Sequence, residues 1–332
     1  MKPLLVICAS VLVFIACSKG EQPEENRSKV VIDFGELKTR TEVNGPNDML
    51  EFGVYGEMSS QEDASSYTDI FTNERVYRSD ESVTGWTYDK TRYWINGRTY
   101  HFFGVYPYEI NNENRVQIAT LKQGNNEYDG FKIAFTTPVS ADADLLTAFK
   151  TVSISNDATY YSPVNMVFTH AMSKVIIKVA KNNANEFNKI MVTSVSLSGV
   201  KKTGNYYCSR ETDYTDHWVT EDEIMTISFD NKSTELTTNG INIMDLLLVP
   251  QEIATNSIKL TIKYSFYYVN GAFAYENTLE RVIPTDKIDE WEPATNYVYS
   301  VNLSAEANDI VFGTPTISEW GAAQSSGTII IE

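Results

Sequence analysis

Apolar residues along this chain recur at every second position in short runs, and helical spacing is hardly found. Side chains on a strand point to alternate faces, so such runs read as strands with one buried face. The longest central run covers residues 164–180, VNMVFTHAMSKVIIKVA. Its first half puts Val164, Met166, Phe168 and Met172 on one parity. In its second half Val175, Ile177 and Val179 hold the opposite parity, with Lys174 and Lys178 between them. A change of parity means a change of buried face. Either a bulge near Met172 and Ser173 re-aims the strand, or the chain passes there from one packing unit to another.

Before this hinge, residues 30–37 (VVIDFGEL) form a strand with Val30, Ile32 and Phe34 on one face. Residues 38–41 (KTRT) follow, an exposed and protease-accessible type of link. Further strands are expected at 51–58, 75–78, 86–88 and 92–95. Asn96-Gly97 signals a tight hairpin into 98–106, which Pro107 ends. Strands are also expected at 131–135 and 152–154, and residues 142–148 fit a helical turn or a short strand. After the hinge come 191–197, 224–229, 241–251 (with Pro250 near its end) and 257–268, which Asn270-Gly271 turns into 273–279. Residues 296–303 and 310–312 follow. The chain closes with Trp320, a Gly/Ala/Ser-rich spacer at 321–327 and TIIIE, where Ile329 and Ile331 share a face. Many short alternating strands separated by turn signals predict an all-β chain of packed antiparallel sheets. At 332 residues two domains are expected, with the boundary near 160: one sandwich over 41–160 and another over 161–332.

The net charge of −17 argues against nucleic acid or anionic lipid headgroups as partners, because phosphate binding needs a basic surface. The start of the chain changes the picture more. Lys2 precedes an apolar run at 4–15 that is too short to span a membrane comfortably. The run ends in Phe14-Ile15-Ala16-Cys17, which resembles the bacterial lipobox although Phe14 stands where Leu is usual. Residues 1–16 are then a lipoprotein signal peptide, with lipid (palmitate-type acyl chains) on Cys17. An ordinary secretory signal with an incidental Cys17 is the alternative. Residues 17–28 are polar and read as a tether. With Cys8 in the leader and Cys17 modified, Cys208 stands alone, and no disulfide framework exists.

Catalytic chemistry is hard to find. His101, His170 and His217 lack the spacing of metal-ligand pairs, and core or surface packing accounts for His101 and His170. No nucleophile elbow, zinc-protease motif or phosphate loop is present. The acidic clusters Asp142/Asp144 and Glu221/Asp222/Glu223 lack the calcium-loop pattern and read as solvated loops. No cofactor or metal is expected, and the chain does not read as an enzyme. Trp86, Trp94, Trp218, Trp291 and Trp320 offer material for a glycan-stacking platform, with Trp94 better placed in a core and Trp218 the one to test for exposure.

The ordered motifs resemble the fimbrillin-like lipoproteins of the Bacteroidota, the family of the major and minor fimbrium subunits. The residues that carry the resemblance are 73–109 (NERVYRSDESVTGWTYDKTRYWINGRTYHFFGVYPYE), 144–148 (DLLTA), 167–179 (VFTHAMSKVIIKV), 246–251 (LLLVPQ), 291–303 (WEPATNYVYSVNL) and the Trp320-Gly321 end. Ile95 stands where Pro is common, and Pro293-Ala294 where Gly is frequent. The resemblance implies two tandem transthyretin-like β-sandwiches and a structural or adhesive pilus subunit on the cell surface. It also implies an outer-membrane lipoprotein precursor that a trypsin-like protease cuts after an Arg, here between Arg40 and Thr41. The removed strand would carry Val30, Ile32 and Phe34, and the donor strand Ile329 and Ile331. Its partners would be other copies or related pilin subunits, joined head to tail, with a host or bacterial receptor possible. A tip or anchor subunit, or a glycan-binding surface lipoprotein that does not polymerise, remain the alternatives.

Overall fold

In a computed structural model of the chain, the structure describes residues 30–35, 38–39, 49–62, 64, 66–79, 85–108, 116–121, 130–136, 144–181, 187–209, 217–230, 233–254, 257–303, 310–319 and 329–330. Every structural statement below concerns these residues. The fold is all-β, and no α-helix occurs among them.

A six-stranded sheet runs in the order Lys38–Thr39, Val167–His170, Leu146–Ile154, Arg98–Tyr106, Glu51–Ser60, Tyr67–Tyr77. Both of its faces are covered. Phe52, Val54, Tyr100, Phe102, Leu146 and Phe168 point to one core, and Tyr55, Phe103 and Val105 to another. This double burial explains why Glu51–Ser60 and Arg98–Tyr106 are buried at nearly every inner position rather than at alternate ones. Over the first face lies an irregular layer made of 30–35, 85–95 and 158–166. Over the second face lies a four-stranded sheet, His217–Thr220, Thr203–Ser209, Gly130–Thr136, Val116–Leu121. Strands from the two sides of residue 160 are neighbours in it, with Tyr206 opposite Ile133. Phe131 stacks on Phe103 at 5.0 Å and 7°, which fastens this sheet to the first.

The second half builds a sandwich of its own. One sheet holds Ile224–Phe229, Phe187–Lys201, Lys259–Tyr268 and Phe273–Val282. The other holds Ile241–Leu248, Ser173–Lys181, Thr295–Leu303, Thr316–Glu319 and Ile329–Ile330. Ser173–Lys181 and Thr295–Leu303 run parallel, and the remaining pairs are antiparallel. Val175, Ile177, Val179, Leu260, Ile262, Tyr264 and Tyr299 fill the space between the sheets. Trp291 is fully buried there and donates its indole N–H to the Tyr299 hydroxyl at 3.0 Å.

The parity change in 164–180 marks a crossing between sheets. Val164, Met166, Phe168 and His170 are buried with the first sheet; Ser173, Val175, Ile177 and Val179 are buried with the second sandwich. Both Ala171 and Met172 are buried at the switch. The HAMSK segment pins the crossing. His170 Nδ1 meets Asp144 at 2.6 Å, the Ser173 hydroxyl reaches the carbonyls of Trp291 (3.1 Å) and Glu292 (2.7 Å), and Lys174 pairs with Asp245 at 3.4 Å.

Two expectations need correction. Asn96-Gly97 does turn, with Gly97 at φ +71°, but it does not close a hairpin. Residues 92–94 pair instead with the first strand, while Arg98–Tyr106 lies between Glu51–Ser60 and Leu146–Ile154. Trp94 stands over Tyr100 at 4.7 Å and 85°, so the turn carries the chain between layers that share one core. Tyr67–Tyr77 forms a long edge strand where only residues 75–78 were expected, because its polar residues face solvent at the sheet edge.

Candidate functional site

Residues 30–35, expected as the first strand, run as extended chain through the middle of the irregular layer, with isolated β-bridges at Val31 (to Tyr93) and Phe34 (to Val164) in place of a regular strand, and are bonded on both sides. Ile32 N–H donates to the Arg92 carbonyl (2.9 Å) and Trp94 N–H to the Val30 carbonyl (3.0 Å). On the other side Gly35 N–H donates to Val164 (3.0 Å), and Val164 N–H donates to Asp33 (2.7 Å). The Tyr88 hydroxyl donates to the Ile32 carbonyl at 2.7 Å; burial pushes this phenol up, so it remains a donor throughout the neutral range. The alternation of the sequence is realised as burial: Ile32 and Phe34 are 1% exposed, Val30 is half-buried, and Val31 points outward at 43%.

Phe34 is the centre of this core. Its ring meets Phe52, Phe71 and Tyr88 at 5.9 Å and Phe102 at 6.0 Å, with interplanar angles of 65–84°. Edge-to-face contacts of this kind add to area burial. Burying Ile32 and Phe34 contributes roughly 3–6 kcal/mol by apolar transfer. Space after Phe34 is tight. A Cβ on Gly35 would overlap the Asn165 side chain and come within 2.9 Å of Pro163 Cβ. At the start of the strand an open cleft of about 330 Å³ is lined by Val30, Val31, Asp33, Trp94, Tyr161 and Pro163.

Downstream, Lys38–Thr39 runs parallel to Val167–Phe168 at the edge of the six-stranded sheet. This part of the link is therefore paired by its backbone rather than free, but it has a single neighbour strand and is only two residues long. Cys17, Arg40, Thr41 and Ile331 lie outside the described residues. At the other end Ile329–Ile330 pairs antiparallel with Thr316–Ile317 as the outermost strand of its sheet. Residues 30–35 thus pack into the first core, while the last strand pairs by its backbone at the edge of the second sandwich, each within a segment whose sequence marked it out.

The other candidates fall into packing roles. Trp86, Trp94 and Trp291 are buried; Trp218 is half-buried and donates its indole N–H to the Ala171 carbonyl at 2.7 Å. Trp320 and Asp142 lie outside the described residues. His101 is buried with Nδ1 at 3.1 Å from the Thr151 hydroxyl, and Cys208 is buried in the core under the four-stranded sheet. Among the described residues no three His, Cys, Asp or Glu side chains group as a metal site. The residues that sequence reasoning did not connect are those that hold the first strand: Arg92, Trp94 and Val164 by backbone, Tyr88 by hydroxyl. Their signal was the aromatic spacing of 86–94, which reads as short strands without naming a partner.

Comparison with known proteins adds the following. A family model described as fimbrillin-like matches residues 39–320. Among solved structures, a fimbrial protein from Bacteroides vulgatus ATCC 8482 superposes with a TM-score of 0.63 at 18% identity, covering 87% of this chain and 99% of that one. A candidate cell adhesion protein from Bacteroides ovatus ATCC 8483 gives 0.51 at 17% identity, covering 89% and 99%. No curated protein sequence matches the chain.

Proposed function

The chain belongs to the fimbrillin-like family, and on that premise we propose that it is a structural or adhesive subunit of a cell-surface pilus assembled by strand replacement. The precursor is exported as a lipoprotein held in the outer membrane through acylated Cys17. A trypsin-like protease cuts between Arg40 and Thr41 and frees the strand that carries Val30, Ile32 and Phe34. The groove left behind takes a strand from a neighbouring subunit, and the end strand with Ile329 and Ile331 is offered in turn to another. Groove and donor are then held apart on one subunit, the groove in the core around Phe34 and the donor at the Thr316–Glu319 edge of the second sandwich. Such a head-to-tail contact does not close on itself, so it propagates as a filament.

One observation carries this reading. The first strand is joined to the core by hydrogen bonds on both sides and by two buried side chains, yet it lies ahead of a basic link at the sheet edge. Its loss exposes unpaired backbone at Arg92, Trp94 and Val164 together with an apolar seat. That combination is what β-strand addition recognises. A tip or anchor subunit uses the same groove. The glycan-binding alternative draws no support from the four described tryptophans, since three are buried and Trp218 is packed against Tyr206 at 5.4 Å.

Brief treatment of the purified precursor with a trypsin-like protease tests the proposal. The expected result is one discrete cut after Arg40 and a trimmed chain that takes back a synthetic peptide of residues 30–37. A chain that is degraded without a discrete product, or that is cut there but ignores the peptide, contradicts it.

A further inference from the structure

We propose that Asn270 is a site of spontaneous covalent modification, at which the side-chain amide is lost and aspartate or isoaspartate forms, while the fold protects the chemically equivalent Asn96. The proposal stands apart from the pilus reading and needs only the chain and water.

An asparagine followed by glycine is chemically labile, because glycine has no side chain to hinder its own backbone nitrogen. That nitrogen gives its proton to hydroxide and attacks the asparagine Cγ. The Cγ–Nδ2 bond breaks, the leaving nitrogen takes a proton from water and departs as ammonia, and a five-membered succinimide remains. Water then opens the ring. Attack at Cγ yields aspartate, and attack at the backbone carbonyl carbon yields isoaspartate. One water enters, one ammonia leaves, and nothing is oxidised or reduced. The Asn-Gly pair occurs at 44–45, 96–97, 239–240 and 270–271, and the first lies outside the described residues. The other three differ in what surrounds them.

Asn96 is locked. Its Nδ2 donates to the carbonyls of Asn156 (3.1 Å) and Ala158 (3.0 Å), and its Oδ1 accepts from the Tyr161 hydroxyl at 2.6 Å. Gly97 is buried, its N–H donates to the Ile154 carbonyl at 2.9 Å, and a Cβ there would overlap the Asn156 side chain. Ring closure requires the amide to turn onto the next peptide and that peptide to rotate, and neither can happen while these contacts hold. Asn270 is the opposite case. It stands at the tip of the hairpin joining Lys259–Tyr268 to Phe273–Val282, and both it and Gly271 are exposed. A Cβ on Gly271 would meet nothing within 4 Å, so no packing resists rotation of the peptide. Oδ1 of Asn270 accepts the Ala272 N–H at 3.0 Å, which draws electron density from Cγ and favours attack on it. Gly271 N–H donates to the Tyr268 carbonyl at 2.8 Å, a bond that closes only the exposed turn and opens when the tip frays. Asn239 is intermediate. It is exposed, but the Cβ position of Gly240 lies 3.0 Å from Lys178 Cε and 3.4 Å from Ala180 Cβ.

The product changes the tip. Tyr268, Val269 and Phe273 are exposed around Asn270, so a carboxylate appears within an apolar knob. Isoaspartate also adds a carbon to the backbone inside the turn closed by Tyr268 N–H donating to the Ala272 carbonyl at 2.9 Å.

The test incubates the folded full chain at mildly alkaline pH and follows the amide-to-acid mass gain by peptide mapping, with a urea-unfolded sample alongside. The expected result is loss at Asn270 at least tenfold faster than at Asn96 in the folded chain, with Asn239 between them, and comparable rates at all three in urea. Equal folded rates at Asn270 and Asn96, or a fold-independent difference that persists in urea, overturn the proposal. Loss at Asn239 that outpaces Asn270 overturns it as well. In the aged sample, hydrogen exchange at Tyr268 should speed up in step with the isoaspartate fraction, and exchange that stays at the fresh-sample rate contradicts the effect on the turn.

Discussion

Replacing Phe34 with alanine removes the ring on which Phe52, Phe71, Tyr88 and Phe102 converge. The site is 1% exposed and walled by sheet strands, so it cannot collapse to fill the space. A buried phenylalanine truncated to alanine costs about 3–5 kcal/mol, lost transfer energy and cavity together. For a unit of this size each kcal/mol moves the midpoint by about 2–4 °C, so the first unit should melt roughly 6–20 °C lower. Trp86 and Trp94 pack in the same cluster, so their fluorescence identifies which transition has moved. Val31→Ala is the internal control. It lies on the same strand with the same backbone bonds nearby, but its side chain points to solvent, and its effect should stay within about 0.5 kcal/mol. If Phe34→Ala and Val31→Ala shift the transition equally, the strand is not seated in the core as described, and the argument for a groove loses its basis.

Other consequences follow from single contacts. Ser173→Ala should destabilise the chain by about 1–3 kcal/mol in urea denaturation, because the Trp291 and Glu292 carbonyls at the crossing lose a buried donor; an unchanged midpoint would remove Ser173 from the pin. Burial, then the neighbouring Glu292, Glu252 and Asp289, push the Glu290 carboxyl above its ordinary 4.5. The folded chain holds that proton more tightly than the unfolded one, so the contribution is full below about pH 4 and is lost as pH rises through the folded value. Glu290→Gln should therefore stabilise the chain at neutral pH and lose its advantage in acid, and an advantage that grows on acidification would reverse the assignment. The Tyr264 phenol, pushed up to about 12 mainly by burial, should ionise late in an alkaline absorbance titration, with folding stability falling between pH 10 and 12; ionisation at the ordinary value would show that the ring is not buried.

The fold class was legible because alternation is a local property. Residues 257–268 repeat apolar residues at Ile258, Leu260, Ile262, Tyr264 and Phe266, and all five are buried in one core. The crossing at Ala171–Met172 was legible for the same reason, since a parity change has few structural causes. What alternation does not encode is the partner of each strand. Residues 92–95 had a strong turn signal beside them and still paired elsewhere, because Trp94 and the first strand share a core that no local pattern reveals. The four-stranded sheet was hidden likewise: Thr203–Ser209 pairs with Gly130–Thr136 across a long stretch of sequence. At the candidate site, Ile32 and Phe34 were readable as one face of a strand. The ring of aromatics around Phe34 and the closeness of Pro163 to Gly35 were not, because those residues come from distant parts of the chain.

The central claim is that the first strand is structural in the precursor and dispensable in the assembled form. The most direct measurement is the N-terminal residue of this chain in filaments sheared from the cell surface, obtained by mass spectrometry of the terminal peptide. The account predicts Thr41, with residues 30–40 missing from the filament. Filaments whose chains still begin at lipidated Cys17 and retain Ile32 and Phe34 would contradict it.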